Sequence, residues 1–314
     1  MTIIVTGGAG FIGSNIVKGL NDRGIDKIII VDNLSNASKH KNLNKIKFYD
    51  YIDKTDFNIK DFLAKNNVEA VFHQGASSNT METDGKYMMK NNYECTKDTF
   101  NACQQHNVRL FYASSASVYG NGDNGFIEKE ECEYPLNLYA FSKYQFDRYL
   151  NQHIASISSQ VVGLRYFNVY GPQENHKGKM ASVAFHMFNQ IKNNEPMKLF
   201  EGSENFKRDF IYVDDVVSVN MFFYDNPDKS GIFNCGTGHA ESFCEIANAL
   251  NEKYKDAKVE YIPFPESLKG KYQTFTESDI TKLRSAGYNK PFTNLKTGTL
   301  KYAEILEKSG GYII

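Results

Sequence analysis

Two widely separated groups of residues have types and spacings that could perform chemistry together. Gly7, Gly10 and Gly13 have the spacing GxxGxxG near the start of the chain, and Tyr139 and Lys143 much later have the spacing YxxxK. Glycines at such a turn let the backbone approach a pyrophosphate closely. A phenol near an ammonium ion and a positive nicotinamide ring has a lowered pKa and can act as a base. The combination predicts movement of a hydride and a proton off a secondary alcohol.

The YxxxK spacing also occurs at Tyr93 and Tyr254, so context has to select the functional copy. Only Tyr139 follows a serine that ends a predicted strand, Ser115. The carboxyl ends of strands in an open α/β sheet are where ligands bind. Tyr139 and Lys143 share a helix face because they are four residues apart. We predict Tyr139 as the base, Ser115 as its hydrogen-bonding partner at the substrate oxygen, and Lys143 as the cation that also holds the nicotinamide ribose.

The residues after the glycine motif give conflicting indications about the cofactor. The helix that Gly13 opens would present free N–H groups and a partial positive charge to a phosphate. Asp32 ends the second predicted strand, where an acidic residue normally binds the ribose hydroxyls of NAD. Lys39 begins a basic stretch, residues 39–47, that could instead bind the 2′-phosphate of NADP. The choice between NADP and NAD is left open at this point.

An alternation of strands and helices must position these residues. Short apolar runs flanked by Gly, Asn, Asp or Ser predict buried strands at 3–6, 27–31, 70–73, 110–114 and 161–165. Helical patterns lie between them at 13–20, 59–65, 91–105 and 139–152. Such alternation is typical of a parallel sheet covered by helices on both faces. After Asn168 the pattern changes to predicted helices at 182–192, 243–254 and 294–306 and strands at 230–236 and 258–263.

We therefore predict an α/β protein, a Rossmann doubly wound parallel sheet with a smaller α/β substrate-binding lobe. The cofactor domain would comprise residues 1–168 with about 213–240 and a segment near 273–290, and the lobe would comprise 169–212 and 241–314. A chain of 314 residues is long enough for about two such lobes.

Composition excludes several classes of function. The net charge of −1 provides no field to gather nucleic acid or an anionic membrane, and no apolar run of about 18 residues predicts a membrane span. The five cysteines are odd in number and form no CxxC pair. They predict reduced thiols in a cytoplasmic protein, with neither disulfides nor a metal site.

The glycine motif, Ser115 and the Tyr139–Lys143 pair together resemble the extended short-chain dehydrogenase/reductases, which modify nucleotide sugars. Longer segments narrow the resemblance to the ADP-L-glycero-D-manno-heptose 6-epimerase family, over residues 84–93, 165–172, 176–182, 200–210, 261–265 and 268–272. The resemblance implies epimerisation of ADP-D-glycero-β-D-manno-heptose at C6″ by transient oxidation, with tightly held NADP or less often NAD. It also implies heptose supply for the lipopolysaccharide core, and a homo-oligomer that is commonly a pentamer.

The same resemblance implies roles for individual residues. Lys177 would be a second acid/base group beside Tyr139 and would also reach the cofactor; without the resemblance it would be interpreted as a solvated loop residue. Residues expected to line the cofactor are Phe11, Ile12, Asp32, Asn33, Lys39, Lys54, Gly75, Ala76, Asn91 and Val169. Residues expected to line the ADP-sugar are Asn168, Lys179, His186, Phe200, Glu201, Gly202, Ser203, Arg208 and Tyr272. Lys179 stands where a small hydroxyl residue is expected, and Gln74 and Ser77 stand where Glu and Cys are expected.

Three other interpretations compete with this one. A sugar-nucleotide 4,6-dehydratase would carry an Asp-Glu pair just after the strand serine, whereas Ser115 is followed by Ala116, Ser117 and Val118. A UDP-hexose 4-epimerase shares Ser115, Tyr139 and Lys143, but not the Lys177 loop, and stays the alternative. A cofactor sensor without catalysis would be free to lose the three shared residues, all of which are present.

Overall fold

A seven-stranded parallel sheet forms the centre of the protein, as the computed structural model describes it over residues 1–265 and 273–313. Its strands lie in the order β10-β6-β5-β4-β1-β2-β3. They are β1 (Thr2–Thr6), β2 (Ile28–Asp32), β3 (Asp50–Asp53), β4 (Val68–His73), β5 (Arg109–Ser115), β6 (Val161–Tyr166) and β10 (Gly231–Cys235). The predicted Rossmann α/β fold is confirmed.

Helices cover both faces of this sheet and explain why its inner strands are apolar throughout. They are α1 (Phe11–Asn21), α2 (Ile59–Lys65), α3 (Gly85–Met88), α4 (Cys95–Gln105), α5 (Leu138–His153), α7 (Val213–Asp225) and α9 (Thr281–Ser285). Successive side chains of β1 point to opposite faces. Ile3 and Val5 pack into a core with Ile16 of α1 and Val216 of α7, whereas Ile4 packs into a second core with Phe100 of α4.

The remaining elements build two small sheets and their helices. The three-stranded sheet has the order β11-β9-β7, from β7 (Asn168–Tyr170), β9 (Lys207–Tyr212) and β11 (Ala240–Ser242). The two-stranded sheet pairs β8 (Met197–Phe200) with β12 (Val259–Ile262), and the helices are α6 (Val183–Lys192), α8 (Phe243–Lys253) and α10 (Leu295–Ser309). Tyr170, Met187, Phe210, Leu250 and Tyr302 form part of their shared core.

The chain returns to the central sheet after leaving it. Strand β10 pairs in parallel with β6, and α7 packs against α1, so residues beyond 212 complete the sheet. The division into a cofactor domain and a substrate lobe stays a prediction. Among the described residues no helix has the length and apolar character that crossing a membrane requires. All five cysteines lie in the described ranges and carry free thiols.

Candidate active site

A cavity of about 1410 Å³ opens at the carboxyl ends of the central strands. Its volume exceeds the roughly 300–1,000 Å³ of a drug-sized ligand site, so it has room for a dinucleotide. All the residues predicted for catalysis and for the cofactor lie on its wall. They are Gly7, Gly10, Phe11, Ile12, Gly13, Asp32, Asn33, Lys39, Lys54, Gly75, Ala76, Asn91, Ser115, Tyr139, Lys143, Val169 and Lys177. Their individual roles stay predictions.

The glycine loop has the shape that a pyrophosphate needs. Gly7 adopts a φ of +66°, in the region that favours glycine. A Cβ atom at Gly13 would lie 2.1 Å from the carbonyl oxygen of Gly7, so only glycine permits this approach of helix and loop. Helix α1 has Gly10 as its N-cap, without a side-chain cap from the described residues and without an acidic residue in its first turn. The first N–H groups of α1 therefore remain available to an anion.

Asp32 and Lys39 contact each other on the cavity wall. The Lys39 ammonium forms an ion pair with the buried Asp32 carboxylate and also donates to the Asn33 carbonyl oxygen at 2.9 Å. The second Asp32 carboxylate oxygen accepts from the Ala9 N–H at 2.8 Å. Asp32 is thus occupied by protein donors, and Lys39 sets a positive charge beside it.

Helix α5 brings Tyr139 and Lys143 to the end of β5. Asn137 caps this helix, since its side chain accepts from the Ala140 N–H at 2.9 Å, and Tyr139 therefore lies in the first helical turn. The side chain of Ser115, the last residue of β5, lies near the Tyr139 hydroxyl and acts on its pKa as a hydrogen-bonding neighbour. The buried Lys143 ammonium donates to the carbonyl oxygen of Ala113 at 2.7 Å. The three predicted residues thus all line the same cavity.

Burial shifts the pKa values of Tyr139 and Lys143 in the directions that disfavour their charged forms. Desolvation raises the pKa of the Tyr139 phenol above its ordinary value of 10.0, and the hydrogen bond with Ser115 only opposes this rise. Desolvation also lowers the pKa of Lys143 to about 8, against the opposing charge of Asp147. The predicted lowering of the Tyr139 pKa includes the charge of the nicotinamide ring, and it stays a prediction. The positive charge of a bound nicotinamide has to supply it.

Lys177 lies on the same cavity wall, between an aromatic ring and a carboxylate. Its ammonium is 4.9 Å from the centroid of the Phe11 ring and 3.5 Å from a carboxylate oxygen of Glu174. Glu174 is fully buried and accepts from the N–H and the hydroxyl of Ser182, at 2.8 and 2.5 Å. Lys177 therefore has a defined position rather than that of a freely solvated loop residue.

The residues predicted to bind the ADP-sugar lie in the part of the chain built on the small sheets. Phe200 ends β8, Glu201–Ser203 follow it, and Arg208 lies in β9, buried against the Phe243 ring. His186 lies on α6, Asn168 begins β7, and Lys179 is exposed. Among the described residues, these side chains are absent from the wall of the cavity. Tyr272 lies outside the described residues. All these assignments to the ADP-sugar site stay predictions.

Sequence reasoning missed three polar residues of the cavity wall. His73 ends β4, and His176 lies on the same wall, where burial and then the charges of Lys39 and Lys177 lower its pKa to about 4. Gln74 accepts from the Tyr166 hydroxyl at 3.1 Å, and its buried amide nitrogen has no partner among the described residues. An unpaired donor of this kind suits a ligand in the cavity. The sequence signals were the position of His73 and Gln74 at the end of a predicted strand and that of His176 in the segment 176–182.

Comparison with known proteins agrees with this geometry. The profile of the NAD dependent epimerase/dehydratase family matches residues 3–236. The chain belongs to that family. A nicotinamide dinucleotide is accordingly its cofactor, and the glycine loop fits this group. The prediction of an epimerase is confirmed at the level of the family.

Individual family members show a similarity over the whole chain. The ADP-L-glycero-D-manno-heptose-6-epimerase of Brachyspira hyodysenteriae is 72% identical over 99% of this chain and 100% of its own length. The crystal structure of the Helicobacter pylori ADP-L-glycero-D-manno-heptose-6-epimerase superposes with a TM-score of 0.85 at 32% identity, covering 98% of this chain and 96% of that one. The resemblance seen in the sequence motifs is confirmed.

A UDP-glucose 4-epimerase from Thermotoga maritima, solved with UDP-glucose, is more distant. It superposes with a TM-score of 0.82 at 28% identity over 98% of this chain and 99% of that one. The shared fold therefore extends to family members named for another sugar nucleotide.

Proposed function

We propose that the protein is an ADP-L-glycero-D-manno-heptose 6-epimerase, which inverts C6″ of ADP-D-glycero-β-D-manno-heptose through a transient ketone. The observation that carries the proposal is the meeting of Ser115, Tyr139 and Lys143 on the wall of a cavity that also contains the glycine loop. The 72% identity to the Brachyspira hyodysenteriae enzyme supports the choice of substrate. Supply of heptose for lipopolysaccharide follows from that choice.

In this mechanism the protein handles the protons. A bound nicotinamide supplies a reversible hydride acceptor. Tyr139 takes the proton from the substrate hydroxyl, Ser115 hydrogen-bonds the same oxygen, and the Lys143 ammonium stabilises the phenolate. Because hydride leaves one face of the carbon and returns to the other, proton transfer is needed in two geometries. Lys177 is the second acid/base group, supported by its position between Phe11 and Glu174 on the cavity wall.

NADP is the cofactor that the Asp32–Lys39 pair favours. The Asp32 carboxylate already accepts from Ala9, Asn33 and Lys39, so it has little capacity left for the ribose hydroxyls of NAD. The Lys39 ammonium beside it provides the positive charge that a 2′-phosphate requires. Replacing Lys39 with Ala should weaken NADP binding about tenfold, as loss of one charge-assisted bond does, and should not weaken NAD binding, because it removes one of the donors that occupy Asp32.

A UDP-hexose 4-epimerase is the second proposal, since the Thermotoga maritima enzyme shares the fold. It is less favoured because its identity to this chain is 28%, against 72% for the heptose epimerase. The homo-oligomer, pentameric by resemblance, and the cytoplasmic location stay predictions.

The deciding experiment uses purified protein without added nicotinamide. Incubation with ADP-D-glycero-β-D-manno-heptose should yield the L-glycero epimer, followed by proton NMR at C6″. Parallel incubations with UDP-glucose and UDP-N-acetylglucosamine test the second proposal. Inversion of a UDP-hexose at C4″ with no change in the heptose would replace the first proposal by the second.

A further inference from the structure

Three loops around the cavity meet at one buried amide. Asn42 belongs to the Lys39 segment (Ala37–Leu43), a 3₁₀ turn, and is 1% exposed. Its amide nitrogen donates to the carbonyl oxygen of Ala9 in the glycine loop and to that of Gln173, each at 3.0 Å. Gln173 immediately precedes Glu174 and the Lys177 segment (Asn175–Met180). Asn42 therefore links the glycine loop, the Lys39 segment and the approach to Lys177.

The side chain of Gln173 in turn forms a hydrogen bond to the backbone of Asn42. Its amide nitrogen donates to the main-chain carbonyl of Asn42 at 2.9 Å, and its side chain is likewise 1% exposed. Each residue thus bonds the backbone of the other. Gln173 has a φ of +79°, a left-handed conformation that is unfavourable for a residue other than glycine. The reciprocal bonds to Asn42 hold this conformation in place.

Further bonds connect the two segments on either side of this pair. The Asn36 amide nitrogen donates to the carbonyl oxygen of His176 at 3.0 Å, and the Asn42 amide nitrogen lies 3.3 Å from the His176 ring. The N–H of Gln173 donates to the carbonyl oxygen of Gly311 at 2.8 Å. Neither segment can shift without breaking several buried bonds at once.

We propose that Asn42 and Gln173 are positioning residues that fix the Lys177 segment to the Lys39 segment, so that the cofactor wall and the second acid/base group form one unit. This inference rests on the proposed function for the role of Lys177. Neither Asn42 nor Gln173 is on the cavity wall. Any effect of either on cofactor binding or on turnover must therefore pass through the segments that they join.

The first test measures cofactor affinity in the variant Gln173→Gly. Glycine accepts the positive φ, so this variant removes the carboxamide without adding backbone strain. NADPH titrated into the protein after removal of its resident nucleotide, followed by nicotinamide fluorescence, should bind about tenfold more weakly, as expected for loss of a buried hydrogen bond. The weaker NADPH binding should persist in a Lys177→Met background, because Gln173 acts on the cofactor wall through Asn42. Unchanged NADPH affinity would overturn the proposal.

A matched control separates positioning from general loss of stability. Gln160 is also a buried glutamine, and its amide nitrogen donates to the carbonyl oxygens of Phe223, Asn226 and Lys229. It lies just before β6, at the opposite end of the strand from the cavity. Gln160→Ala should lower stability in urea and leave NADPH affinity unchanged. If both variants weakened NADPH binding equally, the effect of Gln173→Gly would be a general loss of stability. That result would overturn the proposal.

The second test asks whether the unit acts on turnover through Lys177. Asn42→Ala should lower kcat for epimerisation about tenfold in the wild-type background, and should have no further effect in the Lys177→Met background. If the losses of kcat in Asn42→Ala and Lys177→Met multiplied in the double variant, Asn42 would not act through Lys177. If Lys177→Met alone retains wild-type turnover, the proposed role of Lys177 fails, whereas the NADPH titration still decides whether the two segments act together.

Discussion

Tyr139 places its hydroxyl near Ser115 from the first turn of α5, four residues before Lys143. Replacing Tyr139 with Phe removes only that oxygen. We expect kcat to fall by about 10²–10⁴-fold, the usual contribution of a general base, while the nicotinamide stays bound. Steady-state epimerisation and cofactor content measure the two effects. Tyr144→Phe, one turn later on the same helix, is the control, and equal losses in both variants would remove Tyr139 from the mechanism.

His73 is a buried histidine whose protonation state its neighbours fix. The Thr96 hydroxyl donates to the Asn92 carbonyl oxygen at 2.5 Å, so it can only accept from the His73 Nε2–H at 3.1 Å. The other ring nitrogen, Nδ1, must then accept from the Thr6 hydroxyl at 2.8 Å. The neutral ring joins β1, β4 and α4, and burial together with the Lys143 charge lowers its pKa to about 3.

This lowered pKa makes stability depend on pH. As the pH falls below the ordinary value of 6.5, the unfolded chain takes up a proton that the folded chain refuses until about 3. Stability is therefore lost as the pH falls through this window, by about 2 kcal/mol between pH 7 and pH 5. The variant His73→Gln cannot titrate and should lack this part of the loss. Urea unfolding of both proteins at the two pH values measures it, and identical pH dependence would contradict the assignment.

Helix α5 depends on Asn137 for its starting point, and Tyr139 lies in its first turn. Asn137→Ala should lower the free energy of unfolding by about 1 kcal/mol, the usual cost of an N-cap, and should also lower kcat because the first turn frays. Asn294 caps α10 in the same way, accepting from the Thr297 N–H at 2.8 Å. Asn294→Ala should therefore destabilise equally without lowering kcat. If both variants lost kcat equally, the Asn137 cap would have no specific role in positioning Tyr139.

Sequence reasoning found every strand of the central sheet except β3, and it also found β12 of the two-stranded sheet. β1, β2, β4, β5 and β6 were all predicted, with bounds within two residues, because helices on both sides demand continuous apolar runs. β3 was missed because it is the edge strand, and its four residues are exposed to half-buried. β7 and β11 have only three residues each, and β9 begins with the charged residues Lys207, Arg208 and Asp209, so none of them forms a comparable apolar run.

The residues of the site and those that position it also divide into residues with a local sequence pattern and residues without one. Gly13, Ser115 and Tyr139 could be found because glycine spacing, strand ends and helical spacing leave local patterns. Asn42 and Gln173 could not, because their contact joins positions far apart in sequence and amide side chains leave no spacing pattern. The raised pKa of Tyr139 in the absence of the nicotinamide could not be predicted for a related reason, since desolvation depends on the packing of the whole cavity.

The molecule as a whole should be held together partly by its cofactor, because the nicotinamide site draws on loops from β1, β2, β4 and β5. A ligand present at 100 times its dissociation constant stabilises the folded state by about 2.7 kcal/mol. Removing the resident nucleotide should lower Tm, and NADP should restore it at lower concentrations than NAD. Thermal unfolding against nucleotide concentration checks this. Equal midpoints for the two nucleotides would contradict the preference for NADP.

The late return of the chain to the central sheet has a consequence for the order in which the protein folds during synthesis. Six strands have left the ribosome once Tyr166 has emerged, but β6 then presents an unpaired, apolar edge until β10 follows at Gly231–Cys235. Such an edge readily pairs with another chain. The nascent protein thus passes through an interval in which its cofactor cavity is already outlined while its sheet is still open.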